Sequence, residues 1–338
     1  MSENRNLLFG FLLALVLAGV LEWFVLGKRN DYDRQFIQTR ESVVMQKKAE
    51  LAELPQPADV LFLGDSTVKS GIDDNEFYKR TGLKSLNLGL NGELASYSEY
   101  FMLKSYLEHQ PPPKAIVIWH ALDVWPRNLN LRDFFFTLPN GEDQIFVAKN
   151  LLKNMPMNQN IIYWPIKMMS QIIQGICLNI FPSYRYKVWL KKDAANMVAG
   201  LDPLAVLESL RQQDMGVHHR LQAQIKSVYV VPLNVAEDNK KWLLRCAQLA
   251  QKHNIKVLIS RAPVRQEFFD DAGAQKFLSA LNEKVTAFLS NHDKWIQIST
   301  DYFVLKPHET NDDKDHANEQ GRLALTRQYA SLVPPYLD

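Results

Sequence analysis

The apolar positions of this chain fall into three regimes. The first is a continuous run, Leu7 to Gly27 (LLFGFLLALVLAGVLEWFVLG), whose one charge is Glu22. At a rise of about 1.5 Å per residue it matches a bilayer core of roughly 30 Å, and no polar face interrupts it. The second regime is a set of short apolar runs bounded by turn residues, each followed by a segment with helical spacing. Asp59–Leu63 (DVLFL), Leu83–Leu88, Ala115–Trp119 (AIVIW), Lys256–Ser260 (KVLIS) and Trp295–Ile298 read as strands. Ser96–Glu108, Trp242–His253, Phe277–Leu289 and Gly321–Leu332 read as the helices between and after them. Strands that alternate with helices predict an α/β fold, a parallel sheet covered on both faces in three layers. Ligands of such sheets gather at the carboxyl ends of the strands.

The third regime lies between Leu122 and Asn234. There Ile162, Ile166, Met169, Ile173, Ile176 and Ile180 recur at three- and four-residue spacing, with Lys167, Ser170, Gln171 and Gln174 on the other side. That is an amphipathic helix, too polar to be a second span. Its stripe either packs on the domain or meets a membrane or membrane partner. The expected organisation is therefore a transmembrane anchor over 1–28, a charged stalk over 29–57, an α/β domain built from 58–121 and 235–338, and a helical insertion over 122–234.

Composition narrows the class. The 39 basic and 37 acidic residues nearly cancel, without the clustered basic excess of a nucleic-acid protein, so no nucleic-acid partner is expected. The membrane is the partner that the apolar run predicts. A cleaved signal peptide has a shorter apolar core and a small-residue cleavage site, whereas this stretch continues through Trp23 and Phe24 to Lys28 and Arg29. Arg5 before the span and Lys28, Arg29 and Arg34 after it leave its orientation unspecified by charge. Cys177 and Cys246 fit no metal or redox spacing and are read as free thiols or as one disulfide. His218 and His219 have no acidic partner at ligand spacing, so neither metal nor cofactor is expected.

One residue type in this pattern carries chemistry. Ser66 directly follows the first strand, in Val60–Ser66 (VLFLGDS), so it sits on a tight turn at the sheet edge. A serine hydroxyl becomes a nucleophile when a histidine held by a carboxylate takes its proton. Asp313-Lys314-Asp315-His316 stands before the last helix, and an aspartate three residues before a histidine can bridge to it on one turn. Asp315 competes as the carboxylate, but adjacent side chains point apart. Ser66, His316 and Asp313 are thus the candidate catalytic set.

These motifs resemble the SGNH/GDSL hydrolase superfamily. Gly64-Asp65-Ser66 resembles its first block, Asn87-Leu88-Gly89-Leu90-Asn91-Gly92 its second, and Asp313-x-x-His316 its last. The resemblance implies an SGNH (flavodoxin-like) sheet, a Ser66 nucleophile, His316 as base, Asp313 as its orienting acid, and the Gly92 amide as an oxyanion donor. The third block of the family, Gly-x-Asn-Asp, falls on His120-Ala121-Leu122-Asp123, where Leu122 replaces the asparagine. Loss of such a donor costs about 10²–10³ in turnover unless Asn91, Asn128 or another group substitutes.

A narrower resemblance covers the anchor, GDSTVKSGID (Gly64–Asp73), NLGLNG (Asn87–Gly92) and KHNIKVLISRAP (Lys252–Pro263). Together these are similar to membrane-tethered SGNH-like proteins of cell-envelope acylation, such as alginate-type O-acetylation proteins and the D-alanylation protein of teichoic acids. That implies a single-pass protein of the cytoplasmic membrane with its domain outside the cytoplasm. It also implies a glycan or polysaccharide acceptor and a multi-spanning membrane-bound O-acyltransferase as partner. The rival expectation is a non-catalytic partner that binds glycan or acyltransferase. Of the remaining polar residues, His120 is expected to pack or assist, Asp123 to be structural, and Lys69 and Arg261 to face a charged substrate, to lie on the surface or to lie behind the site.

Overall fold

A computed structural model describes residues 40–129, 233–289, 295–311 and 316–337. The chain divides into two compact units, residues 1–43 with 130–201 and residues 44–129 with 202–338. Nearly all described residues belong to the second. The Leu7–Gly27 run and the amphipathic stripe of Ile162–Ile180 lie outside the described residues. No helix among the described residues is long and apolar enough to cross a membrane.

In chain order the described elements are α1 (Arg40–Glu53), β1 (Val60–Gly64), α2 (Ser66–Gly71), α3 (Asp74–Thr81), β2 (Ser85–Asn87), α4 (Tyr97–His109) and β3 (Ala115–Trp119). Then follow α5 (Glu237–Lys252), β4 (Lys256–Ile259), β5 (Val264–Arg265), α6 (Gln266–Phe269), α7 (Ala272–Leu289), β6 (Ile296–Ile298), β7 (Val304–Leu305) and α8 (Glu319–Leu332). Five strands form one sheet in the order β2-β1-β3-β4-β6, every pair parallel. The order reverses beside β1: its sequence neighbour β2 lies on one side and β3 on the other. Such a switch point leaves a crevice at the carboxyl ends of the strands, and Ser66 follows β1 into it.

The strands are apolar runs because both faces are covered. On one face Val60, Phe62, Val117, Trp119 and Leu258 form a core with Val68, Phe77 and Tyr329 from α2, α3 and α8. Trp119 stacks on Tyr329 at 4.4 Å, and Phe62 meets Phe77 edge-on at 5.2 Å. Alternation sends Leu61, Leu63, Ile116 and Ile118, all fully buried, to the other face. There α4 packs on β1 and on α5, and α5 on β4.

Two boundaries differ from those the sequence predicts. The second half of the expected stalk is part of the domain: α1 buries Val44, Lys48, Leu51 and Ala52, one face at helical spacing. Its end is tied down by Gln110 Nε2, which donates to the carbonyls of Glu53 and Leu54. The charged residues on its other face disguise this stripe. Likewise Leu122–Leu129, read as the start of the insertion, packs into the domain, with Val124, Trp125 and Leu129 buried and the Leu129 N–H donating to Asp238. The small parallel pair β5 and β7 was not anticipated, since two-residue strands show no periodicity.

Candidate functional site

Ser66 owes its position to the turn before it. Gly64 ends β1 at φ +144°, and a Cβ there would stand 2.1 Å from the Trp119 carbonyl oxygen, so only glycine brings the two strands' ends this close. Asp65 then caps α2: one carboxylate oxygen accepts from the Thr67 N–H at 2.8 Å and the Thr67 hydroxyl at 2.6 Å. The other accepts from the Ala121 N–H at 2.5 Å, which locks the end of β1 to the end of β3. Ser66 is therefore the first residue of a helix, partly exposed, on a fully buried support.

His316 arrives from the far end of the chain on a loop closed by backbone pairing. Thr310 and Ala317 form an antiparallel bridge, and the Asn311 N–H donates to the His316 carbonyl at 2.8 Å. Asn318 caps α8 by accepting from the Gly321 N–H, while its side-chain amide donates to the His308 carbonyl at 2.7 Å. Gly321 is required here, because a Cβ would lie 1.9 Å from the Glu309 carbonyl oxygen. The outcome is a His316 Nε2 that stands 2.8 Å from Ser66 Oγ across 250 residues of sequence. That is the separation over which a hydroxyl donates to a neutral imidazole and across which a general base takes its proton. Asp313 and its competitor Asp315 lie outside the described residues.

The candidate oxyanion side is built by the second block. Asn87 is buried, and its amide nitrogen donates to the carbonyls of Val68, Lys69 and Ile72, so β2 caps the last turn of α2. Its oxygen accepts from the Gly89 N–H at 3.0 Å, and the chain continues to Asn91 and Gly92. Gly92 opens a 3₁₀ turn, Gly92–Leu94, and its Cα packs between Val124 and the Asp65 side chain. The N–H groups of Ser66 and Gly92 both belong to first turns, whose amides have no partner within the helix. Asn91 Oδ1 accepts from Lys69 Nζ at 3.0 Å, which turns the Asn91 amide nitrogen away from Lys69. Leu122, at the third-block position, is buried and apolar. Asn128 is exposed. Asp123 pairs with Arg127, which also reaches Glu93 at 3.5 Å beside Gly92.

Behind the turn lies a buried polar network. His120 is 1% exposed; its Nε2 lies 3.2 Å from Ser96 Oγ and 3.7 Å from a Glu99 oxygen, and its Nδ1 lies 4.0 Å from Asp65. Asn239 Oδ1 accepts from the Ser96 N–H and hydroxyl, both at 2.8 Å, while its nitrogen donates to the Val124, Trp125 and Arg127 carbonyls. Burial holds the His120 pKa down, partly opposed by the Glu99 charge. Burial holds Glu99 and Asp65 up, opposed for Asp65 by hydrogen bonds from Thr67 and Ala121 and by the nearby His316. Ser96 and His120 are sealed from solvent, so this second serine–histidine contact supports the turn and meets no ligand.

Lys48 and Asn239 had no signal in the sequence. Each acts on residues 39 or more positions away, Lys48 by donating to the Asn87 carbonyl and Asn239 through Ser96. Arg261, which follows β4, is buried. Cys246 is buried, with its thiol pKa pushed well up by desolvation. Cys177 and His218-His219 lie outside the described residues.

No protein-family model matches the chain, and no curated protein matches it. Among solved structures that match is a chain from Bacteroides fragilis NCTC 9343 described as a candidate acylhydrolase. It is 13% identical, covers 89% of this chain and 100% of its own length, and has a TM-score of 0.38. A likeness that distant carries no argument, so the functional reading rests on the site itself.

Proposed function

We propose that this chain is an SGNH-type serine enzyme that moves acyl groups through a Ser66 acyl-enzyme. The observation that supports it is the 2.8 Å contact between Ser66 Oγ and His316 Nε2 at the switch point of a parallel sheet. In the reading, Ser66 Oγ attacks an ester carbonyl and its proton passes to His316 Nε2. The Ser66 and Gly92 amides and the Asn91 side chain receive the oxyanion. The carbon–oxygen bond to the leaving alkoxide then breaks, and His316 returns the proton to that alkoxide. In the second half an incoming hydroxyl gives its proton to His316 and takes the acyl group, which frees Ser66. Asp313 holds the imidazole in the tautomer that this needs.

The finer reading extends the resemblance. The chain is a single-pass protein of the cytoplasmic membrane with its domain outside the cytoplasm. It transfers or removes O-acyl groups, acetyl first among them, on a cell-envelope or exported polysaccharide beside a multi-spanning membrane-bound O-acyltransferase. Leu122 in place of the third-block asparagine supports a slow, partner-dependent transferase over a fast free esterase.

The test is intact mass of the full chain in detergent after incubation with p-nitrophenyl acetate or a fluorophosphonate. The expected result is a one-to-one adduct, lost in Ser66→Ala and reduced at least about 10³-fold in rate in His316→Ala. A folded wild type that gives no adduct would move the reading to a non-catalytic partner that binds glycan or acyltransferase.

A further inference from the structure

Arg261 is a buried guanidinium with no carboxylate paired to it among the described residues. It is 3% exposed, and among the described residues its one contact is from Nη2 to the Thr286 hydroxyl at 3.4 Å. Nε and Nη1 are buried without any hydrogen-bond partner. An arginine is almost never fully buried unless paired, and an uncompensated charge of this kind costs several kcal/mol. The groups that face it do not compensate. Tyr302, the titratable group whose charge acts on Arg261, has its pKa pushed up to about 12 by burial, and its hydroxyl is turned to Asn282 Oδ1 at 3.1 Å. The Arg261 carbonyl is used elsewhere, as an acceptor for the Tyr329 hydroxyl.

The position is as telling as the missing partner. Ile259 pairs with Ile118 in the sheet, and the Ser260 N–H donates to the Ile118 carbonyl. Arg261 therefore stands level with His120, just as Asp65 does on the other side of β3. Strands lie about 4.8 Å apart, so the Arg261 backbone is two strands, roughly 10 Å, from the Asp65–Ser66 turn at the same sheet edge. Thr286, which the guanidinium touches, and Tyr302, whose charge acts on it, are both partly exposed.

We propose that Arg261 is the anchor of an anion subsite at the carboxyl-end side of the sheet, one that takes a carboxylate or phosphate group through the guanidinium N–H donors that the protein leaves unused. Such groups match the planar fork of arginine and form its strongest hydrogen bonds. On the functional reading above, this assigns the subsite to an anionic group of the substrate. The anion binding itself does not depend on that reading.

The experiment is a thermal-unfolding titration of the full chain in detergent with sodium acetate and with sodium phosphate, against sodium chloride at matched ionic strength. A saturable rise of a few degrees in the wild type with acetate or phosphate is expected, and the stronger of the two identifies the group. Arg261→Met is expected to lose it, with apparent affinity at least about tenfold weaker, and Arg261→Lys to keep part of it. Ser66→Ala is expected to keep the whole response, which separates this subsite from acyl-enzyme chemistry. A wild type whose melting follows ionic strength alone overturns the proposal whatever the variants do. So does an Arg261→Met protein that responds like the wild type.

Discussion

Lys48 joins the helix nearest the N-terminal segment to the strand that leads to Gly92, and its ionisation should be readable in the stability of the domain. The side chain is 5% exposed and donates to the Asn87 carbonyl. Burial lowers its pKa from 10.5 to about 8, opposed by the Asp74 carboxylate and helped by Lys69. Below pH 8 the folded and unfolded chains both carry the charge, and the folded state bears the cost of desolvating it. Between about 8 and 10.5 the unfolded chain holds the proton and the folded one does not, so stability must rise with pH in this window. At about 1.4 kcal/mol for each tenfold change, the gap amounts to roughly 3 kcal/mol in full, of which about 2.5 kcal/mol falls between pH 7 and pH 10. The perturbation is Lys48→Met, which keeps the stem and removes the titrating group. Urea unfolding of both proteins from pH 7 to pH 10 should show wild-type stability gaining on the variant by about that amount, because tyrosines and other lysines titrate alike in the two. The absolute difference at pH 7 is less informative, since the variant also leaves the Asn87 carbonyl without its donor. Two parallel curves would mean that water reaches the ammonium, and would remove the argument that α1 is an integral part of the site's support.

Other outcomes follow from the same contacts. Asn87→Ala strands the carbonyls of Val68, Lys69 and Ile72 and the Gly89 N–H, so it should cost about 2–4 kcal/mol in denaturant unfolding and slow adduct formation at Ser66. Gly321→Ala forces a Cβ against the Glu309 carbonyl and should cost about 1–3 kcal/mol by overpacking. Because that backbone carries His316, its adduct rate should fall further than a stability loss of that size explains. An unchanged rate in a destabilised but folded protein would show that the His316 loop adjusts independently of α8.

Much of this domain is legible in sequence because the signals are local and chemical. Buried parallel strands must be short apolar runs, and β1, β3 and β4 sit within a residue of where DVLFL, AIVIW and KVLIS place them. Ser66 could be picked out because a strand, a glycine and a capping aspartate follow in order. What stayed hidden was everything set by pairing across long sequence distance. α1 reads as a charged stalk, since a stripe of Val44, Lys48, Leu51 and Ala52 contains a lysine that looks solvated until Asn87 is found beneath it. Asn239 is one polar residue on an ordinary amphipathic helix, yet it ties Ser96 to the segment of Val124–Arg127 that packs on Gly92. His120 illustrates the same limit from the other side. Its place at the end of β3 suggests chemistry, but Ser96, Glu99 and Trp125 enclose it. A residue type announces what it can do, while burial and partners decide whether it is in a position to do it. By that measure Ser66 and His316, partly exposed and 2.8 Å apart, can act on a ligand. Ser96 and His120, nearly as close at 3.2 Å, are buried behind the turn that presents Ser66.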